Sequence, residues 1–538
     1  MSAIEVQVAS RILKEHYGDI VDKVCTQLIK YGSTPLRPLA QELSLKVDQV
    51  KKALCVLIQH NIVTFKLHKR GFVEYSAKVD HVLMIPRYPH YIYCAKTLYG
   101  DAGELIVEEF LQHGQMLMSA VVDKVSQRLS EAMEAGQKLD PRIVPGKFED
   151  LVNTHFLQRL PAPPKQQEQE KAPSNAVPKL ELSEKDMYRI PQGVDLVESN
   201  RRKRKRSVTD SGDADRTSKK VRGSSSTGNE EVASDAGVVW KINFDRFHQH
   251  LRDLEIVAAV CRRVDWHAGE IVRTMLRVSE LTTDFNASET IPIGFHDIMR
   301  ALPPDLKMTR NAAEQYFKLL SDDQTRILQK IGESGGGTYK IDLQKASQAI
   351  CTATVESIVQ ERFGSKSFRI FKTLLIKKHL EQKQVEEFAL IPAKEAKELL
   401  YKLFAEHIVT VQEIPRTPDH APSRTFYLFT VNISQVSRMM LERCYKTLAN
   451  LMSRRDYETK ENRRLIEKAQ RVEAITKSLQ SHGADPTQTA EIEDMITAPE
   501  KLQLEQYKRK MAKLEQSELQ VDGTIFILSN YIQQEGNR

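Results

Sequence analysis

The stretch Gln49-Val50-Lys51-Lys52-Ala53-Leu54-Cys55-Val56-Leu57-Ile58 sets Val50, Leu54, Leu57 and Ile58 on one helix face. Directly after it the period changes to two. Ile62-Val63-Thr64-Phe65-Lys66-Leu67 reads as a strand, His68-Lys69-Arg70-Gly71 as a turn and Phe72-Val73-Glu74-Tyr75 as the returning strand. Upstream, helical patterns cover Ile4–Glu15 and Asp19–Tyr31, and Gly32-Ser33-Thr34-Pro35 stops the second. A short helix over Leu36–Leu43 follows, with Ser44 capping the next turn. Helices followed by a β-hairpin in this order predict a winged helix, the helix-turn-helix variant with a hairpin wing.

The pattern returns along the chain. Leu54, Leu57, Ile62, Val63 and Thr64 correspond at a constant offset to Leu400, Leu403, Ile408, Val409 and Thr410. Before Leu400 lie a short helix, Gln384–Leu390, and Pro392, which starts the next. After Thr410 come the turn Pro415–Pro422 and the strand Thr425–Phe429. Helices at Glu104–Gln112, Ser119–Leu129 and Lys147–His155, running into Phe156-Leu157-Gln158, mark another unit. Helices around Asp245–Val260, Ala268–Leu281, Phe295–Leu302 and Arg310–Leu320 mark a further one, with a hairpin over Ile327–Lys330 and Tyr339–Ile341. Self-similar units of this size predict tandem domains, not a solenoid of short repeats. The expected class is mainly α with small β wings: winged helices over residues 1–85, 86–160, 238–345 and 346–432.

Residues 161–237 are poor in aromatics and rich in Pro, Gln, Ser and Gly. Such a segment buries too little apolar surface to offset backbone entropy of about 1–2 kcal/mol per residue. It is expected to be a disordered linker between two blocks, 1–160 and 238–538. The tail, 433–538, is expected to form an antiparallel coiled-coil hairpin. Cys444, Leu448 and Leu451, then Leu465, Ala469 and Val472, form one stripe; Leu504, Tyr507, Met511 and Leu514 form the other. The polar run Arg454–Arg464 interrupts the first stripe. Buried faces of ordinary packed helices would give similar stripes.

Composition bounds the function. The chain has 538 residues, and at roughly 100–200 residues per domain that means several domains. Lys and Arg total 79 against 72 Asp and Glu, a net charge of +7, so any nucleic-acid surface must be a local patch. No apolar run approaches the roughly 18 residues of a membrane span, and the N-terminus lacks the apolar block of a secretion signal. The six cysteines are scattered without a Cys-x-x-Cys pair, which supports neither a zinc ribbon nor a disulfide framework. These features predict a reduced, intracellular protein.

The first unit carries candidate phosphate contacts. Lys46, Lys51 and Lys52 flank its third helix, Lys51 and Lys52 at its start, and Lys69 and Arg70 lie at its wing turn. A solvated helix face would carry lysines too. No residue pair suited to base-edge readout stands out, so contact should be weakly sequence-specific. Arg201-Arg202-Lys203-Arg204-Lys205-Arg206 with Lys219, Lys220 and Arg222 has the form of a bipartite nuclear import signal. Glu333-Ser334-Gly335-Gly336-Gly337-Thr338 lacks the Gly-Lys-Ser/Thr of a phosphate loop and reads as a wing turn. His248 and His250 have no further ligand at metal spacing. No catalytic set, cofactor or metal is predicted.

The chain resembles the third-largest subunit of nuclear RNA polymerase III along nearly its whole length. The resemblance rests on Leu54-Cys55-Val56-Leu57 with His68-Lys69-Arg70-Gly71, on Gly103-Glu104-Leu105-Ile106-Val107-Glu108-Glu109 and on Asp245-Arg246-Phe247-His248-Gln249-His250. Ser334-Gly335-Gly336-Gly337, Ile391-Pro392-Ala393-Lys394-Glu395-Ala396-Lys397 and Thr417-Pro418-Asp419-His420-Ala421-Pro422-Ser423-Arg424-Thr425-Phe426-Tyr427 add to it. It implies four extended winged helices related to the alpha subunit of general factor IIE, plus a coiled coil. It further implies docking on the polymerase clamp, and assembly with a second winged-helix subunit and a small acidic-tailed subunit. The implied role is promoter opening and recruitment for transfer RNA and 5S ribosomal RNA genes, in the nucleus, with a link to cytosolic DNA sensing in innate immunity. Phosphodiester synthesis would belong to the two largest subunits. A free-standing winged-helix regulator of transcription and a pure protein scaffold are the alternatives.

Overall fold

The computed structural model describes residues 2–68, 71–132, 140–161, 182–190, 238–333, 336–416, 418–419, 424–481 and 495–536. They fall into two compact units, residues 12–251 and residues 1–11 with 252–538. The described residues are mostly helical, with four small antiparallel sheets of three strands each among them.

The first sheet shows the plan. Helices α1 (Ala3–Tyr17) and α2 (Asp19–Tyr31) lead into strand β1 (Thr34–Pro35). Then come α3 (Leu36–Glu42), α4 (Val47–Gln59) and a wing of β2 (Val63–Leu67) and β3 (Val73–Ala77), in the sheet order β1-β3-β2. Ser44 does not cap α4. It takes a left-handed conformation with φ 53°, and the helix begins three residues later at Val47. Val50, Leu54 and Leu57 of α4 are buried, as their spacing predicts.

A left-handed residue stands before each wing, directly after the third helix at Asn61 (φ 58°), His155 (φ 65°) and His407 (φ 58°), and after a turn beyond it at Arg326 (φ 49°). A buried apolar pair follows each one: Ile62-Val63, Phe156-Leu157, Ile327-Leu328 and Ile408-Val409. The amides of Ile62, Phe156 and Ile408 donate back to the carbonyls of Leu57, Leu151 and Leu403 at 2.9, 2.9 and 3.0 Å. This is the Schellman arrangement, and Asn and His tolerate its left-handed position better than most side chains. A second shared feature precedes the core helices. Gly18 (φ 85°), Gly100 (φ 74°) and Gly364 (φ 83°) each break a helical run, so a preliminary helix turns into the first core helix.

The second unit corrects the expected boundary. After α5 (Val79–Leu83) come α6 (Tyr88–His113), β4 (Met116–Leu117), α7 (Met118–Ala132), α8 (Ile143–Asn153) and β5 (Leu157–Arg159). The short helix α9 (Glu184–Met187) follows. The sheet is completed by β6 (Val239–Ile242), which pairs with both β4 and β5. Residues 161–237 therefore do not separate two domains; they are inserted in the second wing, and 238 does not open a third domain. The reason is packing. Trp240 and Ile242 are buried in the second core with Phe148, and the Phe148 and Trp240 rings meet edge-on at 5.6 Å. The following helix α10 (Phe244–Arg263) adds Phe247, edge-on to Phe156 at 4.7 Å. Arg246 lies 4.6 Å over the Phe156 ring.

The third sheet contains β7 (Ile293–Gly294), β8 (Leu328–Gly332) and β9 (Thr338–Ile341), with α11 (Trp266–Ser279), α12 (Phe295–Ala301) and α13 (Arg310–Asp322). Gly337 ends its wing turn at φ 110°, where an added Cβ would meet the Tyr339 ring at 2.9 Å. The fourth contains β10 (His379–Leu380), β11 (Thr410–Pro415) and β12 (Thr425–Thr430), with α14 (Leu343–Lys377), α15 (Gln382–Ala389) and α16 (Ala393–Ala405).

The tail is a helical hairpin: α17 (Ile433–Glu461) and α18 (Arg463–Ser481) run against α19 (Ala498–Gly536). Leu448, Leu465 and Val472 are buried in its seam, whereas Cys444, Leu451, Ala469, Leu504, Tyr507, Met511 and Leu514 are only half-buried. Two helices cannot enclose a full stripe. The interrupted stretch holds a polar layer: buried Glu458 pairs with Lys510 at 3.4 Å, and Gln503 donates to Asn462 at 3.1 Å. The tail is also not separate from the fourth winged helix. Leu528 and Tyr531 of α19 lie in that unit's core.

Three outcomes follow from the second core. Trp240→Ala should cost about 3–5 kcal/mol. Cutting the chain at a protease site inserted within 191–237 should leave the pieces co-eluting, since β6 stays paired with β4 and β5; prompt separation on gel filtration would contradict the pairing. The third outcome concerns acid. His248 is buried against the Tyr91 hydroxyl at 2.6 Å, and burial, then Arg87, push its pKa down to about 3. Burial, then Lys78 and Lys241, push His81 down to about 4. Below the ordinary histidine value the unfolded chain takes up protons that the folded chain refuses. Stability is therefore complete above pH 6.5 and should fall by up to about 1.4 kcal/mol per pH unit per histidine below it. His248→Gln should flatten this slope in urea titrations run between pH 7 and 4.5; an unchanged slope would show that His248 is not its source.

Candidate nucleic-acid interface

In the first winged helix, α3 and α4 form the helix-turn-helix, and the buried face of α4 fixes which side chains point out. Lys51 and Lys52 are both exposed on that outer face, with Lys46 just before the helix. They occupy the second turn of α4 rather than the first, because the helix begins at Val47. Lys51 lies 4.0 Å from Asp48, with both side chains largely in water. Such a pair is worth little and leaves the lysine available.

The wing adds both charge and apolar surface. Lys66 is exposed on β2, while Phe65 is 51% exposed, Leu67 46% and Phe72 37%. The His68 and Phe72 rings stack at 4.5 Å. The His68 amide donates to the Phe72 carbonyl at 2.8 Å, and the Gly71 amide to the His68 carbonyl at 2.9 Å. Lys69 and Arg70, predicted with Lys51 and Lys52, lie outside the described residues, as do Arg201–Arg206, Lys219, Lys220 and Arg222. The structure thus places two of the predicted contacts, Lys51 and Lys52, on one outward helix face. The wing's exposed Phe65, Leu67 and Phe72 were not among the predicted site residues, whereas Lys46 was one of the basic residues read as flanking the third helix.

The other third helices present different faces. On α8, Glu149 and Asp150 are exposed, and Asp150 pairs with Lys147 at 3.0 Å. On α13, Arg310 is held by Glu314 at 3.0 Å. On α16 the constant offset places Lys397 where α4 has Lys51, but Glu398 where it has Lys52, and Tyr401 and Phe404 are exposed. On α4, Lys51 and Lys52 stand side by side, with only the long contact from Lys51 to Asp48 opposing them.

His248 is neutral and hydrogen-bonded in a core, and His250 is not in a cluster. Among the described residues no group of three or more His, Cys, Asp or Glu could hold a metal ion. Burial pushes the Cys25 and Cys94 thiols up to about 12, far from a reactive thiolate. Among the described residues no helix is long and apolar enough to cross a membrane.

Because Lys51 and Lys52 touch little, replacing both with alanine should shift stability by no more than about 0.5 kcal/mol. Thermal unfolding of the double variant checks this; a larger loss would mean that the two stems pack against the protein.

Comparison with known proteins gives matches along the chain. Residues 7–68 match the RNA polymerase III subunit RPC82 helix-turn-helix domain. Residues 146–350 match the family described as RNA polymerase III subunit RPC82, a match continuous across the second wing. Residues 355–431 match the C-terminal winged-helix domain of POLR3C, and 464–527 the helical hairpin domain of DNA-directed RNA polymerase III subunit RPC3. Over 535 residues the chain is 53% identical to the DNA-directed RNA polymerase III subunit RPC3 of Bos taurus, covering 99% of each. It is 52% identical to the Homo sapiens subunit over 533 residues and 50% identical to that of Danio rerio over 541, again covering 99% of each chain.

Proposed function

Because the chain belongs to the RPC3 family of DNA-directed RNA polymerase III subunits, we propose that it serves transcription initiation by holding the enzyme to opening promoter DNA. It is an accessory subunit, not the catalytic one. In this reading it docks on the clamp region of the core enzyme and assembles with the other two subunits of a peripheral initiation heterotrimer. It works in the nucleus on genes for small RNAs such as transfer RNA and 5S ribosomal RNA, and the basic clusters at 201–206 and 219–222 direct its import. A further role in cytosolic DNA sensing and antiviral defence would use the same DNA contacts.

The observation that carries the DNA-contact part is the exposed basic face of α4 beside a partly apolar wing. Lys51, Lys52, Lys69 and Arg70 would touch phosphates, which positions a protein without reading bases. Replacing all four with alanine should weaken binding about equally across sequences. It should also flatten the salt dependence by about 3 to 4 units of log affinity per log salt. The measurement is affinity of the full chain for a short DNA across a salt series. An unchanged slope would assign this winged helix to protein contact. Polymerase carrying the quadruple variant should start poorly on a duplex transfer RNA promoter and normally on a pre-opened one; equal loss on both would remove promoter opening from the role. The alternative, a free-standing regulator, predicts no polymerase subunits in fixed ratio with the tagged chain.

A further inference from the structure

The third and fourth winged helices use the same spaces differently. In the fourth, Leu528 and Tyr531 of α19 join Val355 and Val359 of α14 and Val436 and Met440 of α17 in one core. A helix from elsewhere in the chain thus fills the space beside the unit's preliminary helix and the helix that follows its wing. In the third unit the corresponding pair is α10 and α14. There α19 fills only one end, where Phe526, Ile527 and Asn530 lie beside Arg252, Glu255 and Ser347.

Past Ile527 the space stays open as a cavity of about 530 Å³. Val260, Leu320, Leu328 and Ile341 give it an apolar wall, and α14 presents small side chains to it, Ala349, Ala353 and Ser357. Counted from the helix caps Asp342 and Asn432, Ala349 and Thr354 correspond to Met439 and Cys444 of α17. Met439 and Cys444 pack against the fourth core; at the first position the fourth unit sets a methionine where the third has an alanine, while Cys444 is no bulkier than Thr354. The opening has the size of sites that take specific ligands. At its rim Arg263 is held by Asp323 at 2.8 Å, whereas the neighbouring Arg262 is exposed and has no acidic partner among the described residues.

We propose that this groove between α10 and α14 seats an amphipathic helix from another subunit of the polymerase, continuing the packing that α19 begins. Its bulky apolar side chains, three and four residues apart, enter beside Ala349 and Ala353, and a carboxylate next to them meets Arg262. A helix is the occupant because a helix fills the sister space, and the acidic residue follows from the unopposed arginine.

The test uses the assembled polymerase with a benzoylphenylalanine photocrosslinker at Ala353 of the full chain. The expected product is a covalent adduct to one other subunit, at an apolar residue of a segment with this spacing and a nearby Asp or Glu. Adducts confined to this chain, to nucleic acid or to a small molecule, or no adduct, would overturn the proposal. Arg262→Glu, a surface change, should weaken retention of that subunit at least tenfold in salt washes, and Ala353→Trp should do the same by filling the groove. Undiminished retention with Arg262→Glu would overturn it even if Ala353→Trp unfolds the unit. Neither outcome bears on DNA contact by the first winged helix, which the salt series tests separately.

Discussion

Each wing is aimed by a single left-handed residue shortly before its first strand. Once Asn61, His155, Arg326 or His407 reverses the backbone, the next two side chains turn into the core and the strand leaves in a fixed register. The returning strand then closes on the same point. The amides of Lys78, Asn243 and Asp342 donate to the carbonyls of Ile62, Phe156 and Ile327 at 2.8, 2.9 and 2.8 Å. Those three residues stand directly before α5, α10 and α14. One junction therefore sets both the wing and the start of the next element, so the winged helices follow one another without independent linkers. A shift of one position there would turn every wing side chain to the opposite face.

Much of this was legible in the residues, because helix and strand periods are local. Leu54, Leu57, Ile62 and Val63 announced the first unit, and their counterparts at Leu400, Leu403, Ile408 and Val409 announced the fourth; all eight are buried. What escaped was non-local. Val239-Trp240-Lys241-Ile242 follows a long polar run and reads as a beginning, yet it is the last strand of a sheet begun at Met116. The hairpin stripes were placed correctly but not their depth: Met511 is half-buried while Glu458 is almost fully covered, because the burial depends on which partner helix lies opposite. Of the predicted contacts, Lys51 and Lys52 stand where the helix period put them. The exposure of Phe65 and Phe72 depends on how far the wing projects, which no local pattern states.

The four units have diverged in what they show to the outside while keeping the same interior. The first offers lysines, the second carboxylates, and the fourth aromatic rings on equivalent helices. A scaffold repeated in this way gives an assembly several differently charged faces at fixed angles within each body, without any need for reactive groups. The buried His248 fits this picture: it is a neutral hydrogen-bonding spacer, not a proton carrier.

The insertion in the second wing also has a consequence for synthesis. Most wings here close locally, but β5 and β6 are separated by residues 160–238. Closing so long a connection as a free chain costs about 2.5 kcal/mol more than closing a five-residue turn. Trp240 and Phe247, which seal the second core, leave the ribosome only after that whole stretch. The first winged helix can form early, while the second must wait with an unpaired edge and an open core, the kind of exposed intermediate that invites chaperone binding. The slowest step in maturation of the N-terminal half is thus set by a segment whose described residues add only Ile190 and Val238 to the edge of its core.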